Sequence, residues 1–258
     1  MQLTHYFSLV DVQARMALKS DASRYFLGYL WWVLEPLLYV GVFYVVFNVI
    51  LNAQRADFLM FLMCGKLPFV WFSKSVNQAS NSIVANAGLI GKIDAPKSLF
   101  PMAVVQEGLY KQSTVFLLLF CVLIASGFAP DWTWLSLAPV LLVNYLMIIA
   151  CALIGAMLVC YVRDFSMLIS LGMVFLMFTS GIFWDVRQLD DPLMTQLMLT
   201  WNPLAFLLDA YRQVLMYRQL PDFAHLTALA VIFSSIALMA LMFMRKHSKL
   251  LAMKAINA

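Results

Sequence analysis

The nearest thing in the chain to a phosphate-binding loop is Gly88-Leu89-Ile90-Gly91-Lys92-Ile93. Such a loop needs four residues between its glycines and a Ser or Thr after the lysine, so that peptide N–H groups wrap the phosphates and the hydroxyl reaches magnesium. Here two residues intervene and Ile93 follows the lysine, so no nucleotide site is expected in this chain. Glu107 and Lys111 stand four apart with the acid first, the favourable order for an ion pair on one helix. A structural pair and a proton relay would both use that spacing. His5, His225 and His247 are scattered, with no HExxH pattern, and Asp190-Asp191 stands alone. No catalytic or metal-binding constellation is therefore expected. Cys64, Cys121, Cys151 and Cys160 all fall inside apolar stretches without CxxC spacing and read as small buried hydrophobes.

The elements that carry these residues are set by lipid. Of 258 residues 64% are hydrophobic and only 12% charged, with a mean hydropathy of +0.86. A soluble domain carries about 25% charged residues. The apolar excess comes in long blocks, so the chain reads as an all-α polytopic membrane protein. No cleavable signal peptide is expected, because about thirty residues of mixed polarity precede the first strong block. There is no internal repeat or separate soluble domain. The chain divides into an interface segment, 1–30, and a membrane domain, 31–258.

Six spans are expected: Trp32–Asn52, Phe58–Val84, Leu99–Ser126, Trp132–Tyr161, Phe165–Trp184 and Ala224–Met244, with a short loop Ala53–Asp57 after the first. Before them, residues 3–20 have Ser8, Asp11, Arg15 and Lys19 at steps of three and four, opposite Phe7, Val10, Ala14 and Ala17. That pattern fits an amphipathic helix lying at the interface, or one packed on another surface. With the N-terminus inside, the inner side receives Arg15, Lys19, Arg24, Lys92, Lys97, Arg163, Arg245, Lys246, Lys249 and Lys254. The outer side receives only Arg55, Arg187, Arg212 and Arg218. The positive-inside rule then places both termini in the cytoplasm.

Polar groups at bilayer depth cost roughly 2.5–3.5 kcal/mol per central charge on insertion scales, so they mark pathways or pairs. The second span is interrupted by Lys66 and Pro68, and its second half carries Ser73, Lys74, Ser75, Asn77, Gln78, Ser80, Asn81, Ser82 and Asn86. Two readings stand: these residues face a hydrated path, or that half projects beyond the membrane. Glu35, beside Pro36, could snorkel to the inner interface. Trp31, Trp32, Tyr39, Phe43, Tyr44 and Phe47 make the first span rich in aromatics, which suits stacking on sugar rings but also ordinary packing.

Between the last two spans, Pro192–Trp201 and Pro203–Arg218 read as two short helices broken at Asn202-Pro203. The prolines suit first-turn positions and Asn202 suits an N-cap. Leu204, Leu207, Leu208, Tyr211 and Leu215 share one face of the second piece, with Asp209, Arg212 and Gln213 opposite. Each piece is too short to span, so the pair reads either as re-entrant half-helices or as a surface hairpin.

The run Arg24-Tyr25-Phe26-Leu27-Gly28-Tyr29-Leu30-Trp31 followed by Leu34-Glu35-Pro36-Leu37 resembles the N-terminal pattern of ABC-type polysaccharide export permeases. Gly65-Lys66-Leu67-Pro68-Phe69, Phe72-Ser73, Asn81 to Asn86, Arg163-Asp164, Trp201-Asn202-Pro203 and Arg212 extend the likeness over nearly the whole chain. It implies a homodimer of six-span subunits in a bacterial inner membrane, exporting a lipid-linked polysaccharide, O-antigen or capsular, on a carrier such as undecaprenyl pyrophosphate. Two separate ATP-binding cassette subunits would hold ATP and magnesium. It further implies a coupling turn about 87–97, with Leu89, Ile90, Gly91, Lys92 and Ile93 docking on the ATPase. Arg15, Lys19, Arg24, Leu27 and Gly28 would form the cytosolic entrance for the lipid head; attraction to anionic lipid headgroups explains the basic cluster equally well. Tyr39, Phe43, Tyr44, Ser73, Asn77 and Asn81 would line the channel. Trp201, Asn202, Pro203 and Arg212 would belong to a periplasmic gate about 192–218. Pro96-Lys97 departs mildly from the Pro-Arg common after that turn, and keeps its charge. A gradient-driven secondary transporter and a membrane-embedded glycosyl- or acyltransferase are the alternatives. The first would carry repeats and the second a catalytic constellation.

Overall fold

Phe58–Ala85, 28 residues long, is the helix around which the others are placed, and most of its surface is covered by protein. The computed structural model describes residues 3–50, 57–92 and 95–257. Within these the chain is helical: α1 Leu3–Arg24, α2 Trp31–Tyr44, α3 Phe58–Ala85, α4 Ala87–Ile90, α5 Leu99–Ala125 and α6 Leu137–Tyr161. Then come α7 Phe165–Thr179, α8 Pro192–Trp201, α9 Pro203–Leu215, α10 Phe223–Lys246 and α11 Ser248–Asn257. No strand occurs among the described residues. α3 packs on α2, α5, α6, α7 and α9, and α6 packs in turn on α10.

Four stretches are long and apolar enough to cross a membrane: α3, α5, α10, and α6 with the 3-10 turn Trp132–Ser136 that leads into it. Their bounds fall within a residue or two of expectation. The other two expected spans are not among these four. α2 continues as a π-helix over Val45–Ile50, and 51–56, with most of the expected loop and Arg55, lie outside the described residues. α7 stops at Thr179 rather than reaching Trp184; its 15 residues measure about 22 Å, against a hydrocarbon core of about 30 Å.

Gly181, at φ +71°, turns the chain out of α7, and a side chain from α9 holds that turn. Arg212, in the middle of α9, is 2% exposed, and its guanidinium lies 3.5 Å over the Phe61 ring. Nη1 donates to the Gly181 carbonyl at 2.7 Å, Nη2 to Ile182 at 3.0 Å and Nε to Phe61 at 3.3 Å. The carbonyls of 181 and 182 are turned toward this fork, not up a continuing helix. The whole of α9 is buried, so its polar face is internal as well. Asp209 accepts from Arg187 (2.9 Å) and from Gln213 (2.8 Å). A surface hairpin does not describe α9; α8 beside it has no buried residue.

Local caps set the helix starts. Asp191 accepts from the N–H of Leu193, Asn202 from those of Leu204 and Ala205, and Asp222 from those of Ala224 and His225. Pro192 and Pro203 occupy first-turn positions, where a missing N–H costs nothing. Arg245 and Lys246 close α10 at the negative end of its dipole.

The serines of α3 serve helix contact. A methyl at Gly108 would collide with Ser75 Oγ, and one at Gly155 with Ser80 Oγ, so α5 and α6 pass these serines closely because they lack a side chain there. Ser80 and Ser82 hydroxyls donate back to Val76 and Ala79 carbonyls at 2.7 Å, which satisfies them without water. Of the four cysteines, Cys64 and Cys160 are buried and Cys151 half-buried, but Cys121 is exposed because it lies on the outward side of α5.

Replacing Arg212 by Met leaves the Gly181 and Ile182 carbonyls without their donor and should destabilise the bundle by about 3 kcal/mol or more. R212K should retain part of that, since an ammonium cannot fork. G65A should resemble R212K, because its methyl would displace the guanidinium. Thermal unfolding in mild detergent checks this, and an unchanged midpoint for R212M would remove the fork from the stability of the fold.

Candidate functional site

α1 and α2 meet at a sharp elbow, 102° between their axes. Gly28 turns it with φ +50°, a left-handed conformation that a side chain would oppose. α1 is held against α5 along its length. Tyr6 pairs with Ser98 at 3.0 Å, and the Tyr110 hydroxyl donates to Asp11, which also pairs with Arg15 at 2.9 Å. At the elbow Lys111 joins Asp21 (2.6 Å) to Glu107 (2.8 Å), and its ammonium lies 5.5 Å from the Trp32 ring. Trp32 Nε1 donates to Asp21 at 3.3 Å. The expected pair Glu107–Lys111 is thus present, but as part of a latch from α5 to α1. Val10 and Ala14 are buried against the bundle; Phe7, expected on the same face, is exposed, as are Val12 and Met16.

Burial pushes the Asp21 carboxyl up, but the Lys111 ammonium, with help from Trp32 and Arg24, outweighs it and holds the group below its usual range. The Tyr110 hydroxyl likewise holds Asp11 low, against burial and with help from Arg15.

Between the elbow, α3 and α5 lies a cleft of about 580 Å³. Asp21, Tyr25, Trp32, Glu35, Lys74 and Lys111 bring both signs of charge and aromatic faces to its walls. Glu35, expected to snorkel, is paired instead with Lys74 at 2.5 Å. Trp71 Nε1 is buried in the same wall without a hydrogen-bond partner. A second groove of about 260 Å³ runs between α2, α3 and α7, with Tyr39, Lys66, Ser73 and Asn77 along it. Ser170 donates to Asn77 at 3.1 Å across it. The polar half of α3 therefore divides between helix contacts and the walls of two clefts.

Of the expected channel residues, Tyr39, Ser73 and Asn77 come together in the second groove. Asn81 donates to the Asn77 carbonyl at 3.0 Å, one turn further along. Phe43 packs 4.7 Å from Phe183 above the groove, and Tyr44 is half-buried. Of the expected entrance residues, Gly28 lines the first cleft, Arg24 and Leu27 are exposed at the elbow, and Arg15 and Lys19 point away on α1. Of the expected coupling residues, Leu89, Gly91 and Lys92 are exposed, whereas Ile90 is buried; Ile93 lies outside the described residues. α4 is braced by α11, whose Leu251 and Ala255 are buried, and Cys160 Sγ meets the Leu251 carbonyl at 3.3 Å. At the gate, Trp201 is 80% exposed, Asn202 and Pro203 form the cap, and Arg212 is the internal fork. Sequence reasoning missed the Asp21–Lys111 and Glu35–Lys74 pairs, which join helices 90 and 39 residues apart and leave no periodic trace.

A family model described as ABC-2 type transporter matches residues 15–216. The chain is 28% identical over 216 residues to an O-antigen export system permease protein RfbA of Klebsiella pneumoniae, covering 83% of this chain and 82% of that protein. It is 27% identical over 231 residues to the protein of that name in Myxococcus xanthus, covering 90% and 89%. To the polysialic acid transport protein KpsM of Escherichia coli it is 25% identical over 221 residues, 83% of each chain.

Because its folded carboxyl is depressed, Asp21 contributes stability that is present above the unfolded carboxylate value near ~3.9 and is lost as pH falls through the lower folded value. Hydrogen exchange of α1 should therefore be flat from neutral pH to about 4 and accelerate below it, after correction for intrinsic rates. D21N and K111M should each speed α1 exchange about fivefold at neutral pH, as for loss of about 1 kcal/mol. Exchange equal to wild type would mean that the latch does not hold α1.

Proposed function

The chain belongs to the ABC-2 type transporter family, and from that premise we propose that it is the permease subunit of an ATP-driven exporter of a lipid-linked polysaccharide, O-antigen or capsular. The observation that carries this reading is the match to O-antigen export permeases over more than four-fifths of both chains. A family of transport permeases accounts for a chain whose polarity is spent on cleft walls and helix contacts. The subunit would work as a homodimer in the bacterial inner membrane, with six spans and both termini in the cytoplasm. α2 with its π-helical continuation and the short α7 would supply the remaining two spans. Their outward faces, Leu38, Val42 and Val49 on one and Leu168, Leu171 and Phe175 on the other, are apolar and exposed, as a lateral opening or a dimer contact requires.

Two ATP-binding cassette subunits would supply ATP and magnesium. Their closure would press on Leu89 and Lys92 at the α4 turn. Ile90, anchored beneath, would pass the load to α11 and α6, while Asn86 joins α4 directly to α3. At the elbow, Arg24 and Gly28 would meet the lipid pyrophosphate, with Arg15 and Lys19 attracting it along α1. The glycan would then follow the aromatic and hydroxyl-lined walls of α2 and α3, leaving past α8 and α9.

Affinity purification from mild detergent tests the reading. A cassette ATPase should co-purify, and its recovery should fall about tenfold or more in L89A/K92E, whose exposed side chains can change without disturbing the core. A stable protein that recovers no ATPase would overturn it. The triple replacement of Arg15, Lys19 and Arg24 by Gln should abolish export while leaving ATPase recovery intact; normal export would remove the lipid-head role.

A further inference from the structure

Lys66 is 5% exposed, in the wall of the α2–α3–α7 groove, and no carboxylate among the described residues lies within ion-pair distance. An ammonium has three N–H donors. Here one meets Met177 Sδ at 2.9 Å, a weak acceptor. The charge is balanced by ring faces, Phe43 at 4.6 Å, Phe69 at 5.4 Å and Phe183 at 5.9 Å. Rings attract a cation without accepting strong hydrogen bonds from it. Other cations of the bundle are served differently. Arg212 holds three carbonyls, Lys111 holds two carboxylates, Lys74 holds Glu35 and Lys97 holds the Ala95 carbonyl.

A buried cation without a counter-ion is destabilising, and a Met or Leu would fill the same space at no such cost. The aromatic cradle keeps the ammonium in place, and among the described residues its remaining donors find no strong acceptor. Below it on the same wall stand Ser73, Asn77 and Tyr39, groups suited to hydroxyls and phosphate oxygens. The groove, about 260 Å³, has room for one charged group and the unit next to it, not for a chain.

We infer that this groove is an oxyanion site in which Lys66 binds a phosphate or carboxylate group of an anionic cargo. The inference rests on the export reading and deepens it: the cargo carries negative charge at the point where it passes α3. Either a lipid phosphate or an acidic sugar supplies the same chemistry.

The test uses the full-length protein in neutral phosphatidylcholine nanodiscs, with farnesyl phosphate, oligosialic acid and uncharged maltotetraose as probes. Wild type should bind at least one of the two anions and not maltotetraose. K66R should stay within about threefold, and K66M should weaken binding about tenfold or more. K66M should also melt no lower than wild type, which separates lost binding from lost folding. Preference for farnesyl phosphate assigns the site to a lipid phosphate, and preference for oligosialic acid to an acidic sugar. Binding of neither anion, or equal binding by K66M, overturns the oxyanion site. Recovery of the cassette ATPase is measured on the same preparations. If it co-purifies while no anion binds, the exporter reading stands and the oxyanion site falls. If wild type recovers none, the exporter reading falls whatever Lys66 does.

Discussion

Hydrocarbon offers no hydrogen bonds, so a polar group carried to bilayer depth must find its partner inside the protein. α3 concentrates that constraint. It carries Lys66, Lys74 and a run of serines and asparagines through the middle of the bundle, and the neighbouring helices are shaped to fit them. α5 and α6 pass Ser75 and Ser80 with Gly108 and Gly155, where a methyl would collide. α2 brings Glu35 to Lys74. α9 sends Arg212 across to the Phe61 carbonyl, beside Gly65, and the same fork holds the turn at Gly181 that follows α7. Accommodating the polar groups of one helix thus shapes its contacts with α2, α5 and α6.

What could be read from the sequence follows the range of the interaction involved. α3, α5, α6 and α10 begin and end close to where hydropathy puts them, because hydrocarbon thickness acts on each block separately. The cap at Asn202 was equally legible, since side chain and N–H lie two or three residues apart. The end of α7 was legible only in part: Gly181, in the left-handed region at φ +71°, is a stop signal inside the block, whereas the Arg212 fork that holds this turn comes from α9. The same holds for Asp21 and Lys111, whose helices have to pack before the pair exists. Lys66 was visible only as an interruption; its ring of three phenylalanines draws on α2, α3 and the turn after α7. Membership of the ABC-2 family was legible as an ordered set of short motifs, which survive where pairwise contacts do not.

The elbow between α1 and α2 has two kinds of restraint, and they respond differently to surroundings. Gly28 fixes the backbone path whatever the pH or salt. The Lys111 latch is electrostatic and partly open to solvent, so its strength depends on the charge of Asp21 and on screening. Tyr6–Ser98 and Tyr110–Asp11 spread the hold over the length of α1. Loss of the latch would therefore loosen the end of α1 nearest the cleft first, where Asp21 and Lys111 are themselves part of the wall.

At the C-terminal end of α3, the four residues of α4 are too few to be rigid alone. Their stiffness is borrowed. Ile90 is buried, α11 lies alongside with Leu251 and Ala255 fully covered, and the Leu251 carbonyl meets Cys160 on α6. α6 is one of the longest helices and packs on both α3 and α10. A load applied at Leu89 or Lys92 thus has two routes into the bundle, directly up α3 through Asn86 and sideways through α11 into α6. Because close-packed helices shift as units and do not deform continuously, these routes would move α3 and α6 together, and the α3 walls of both clefts move with them.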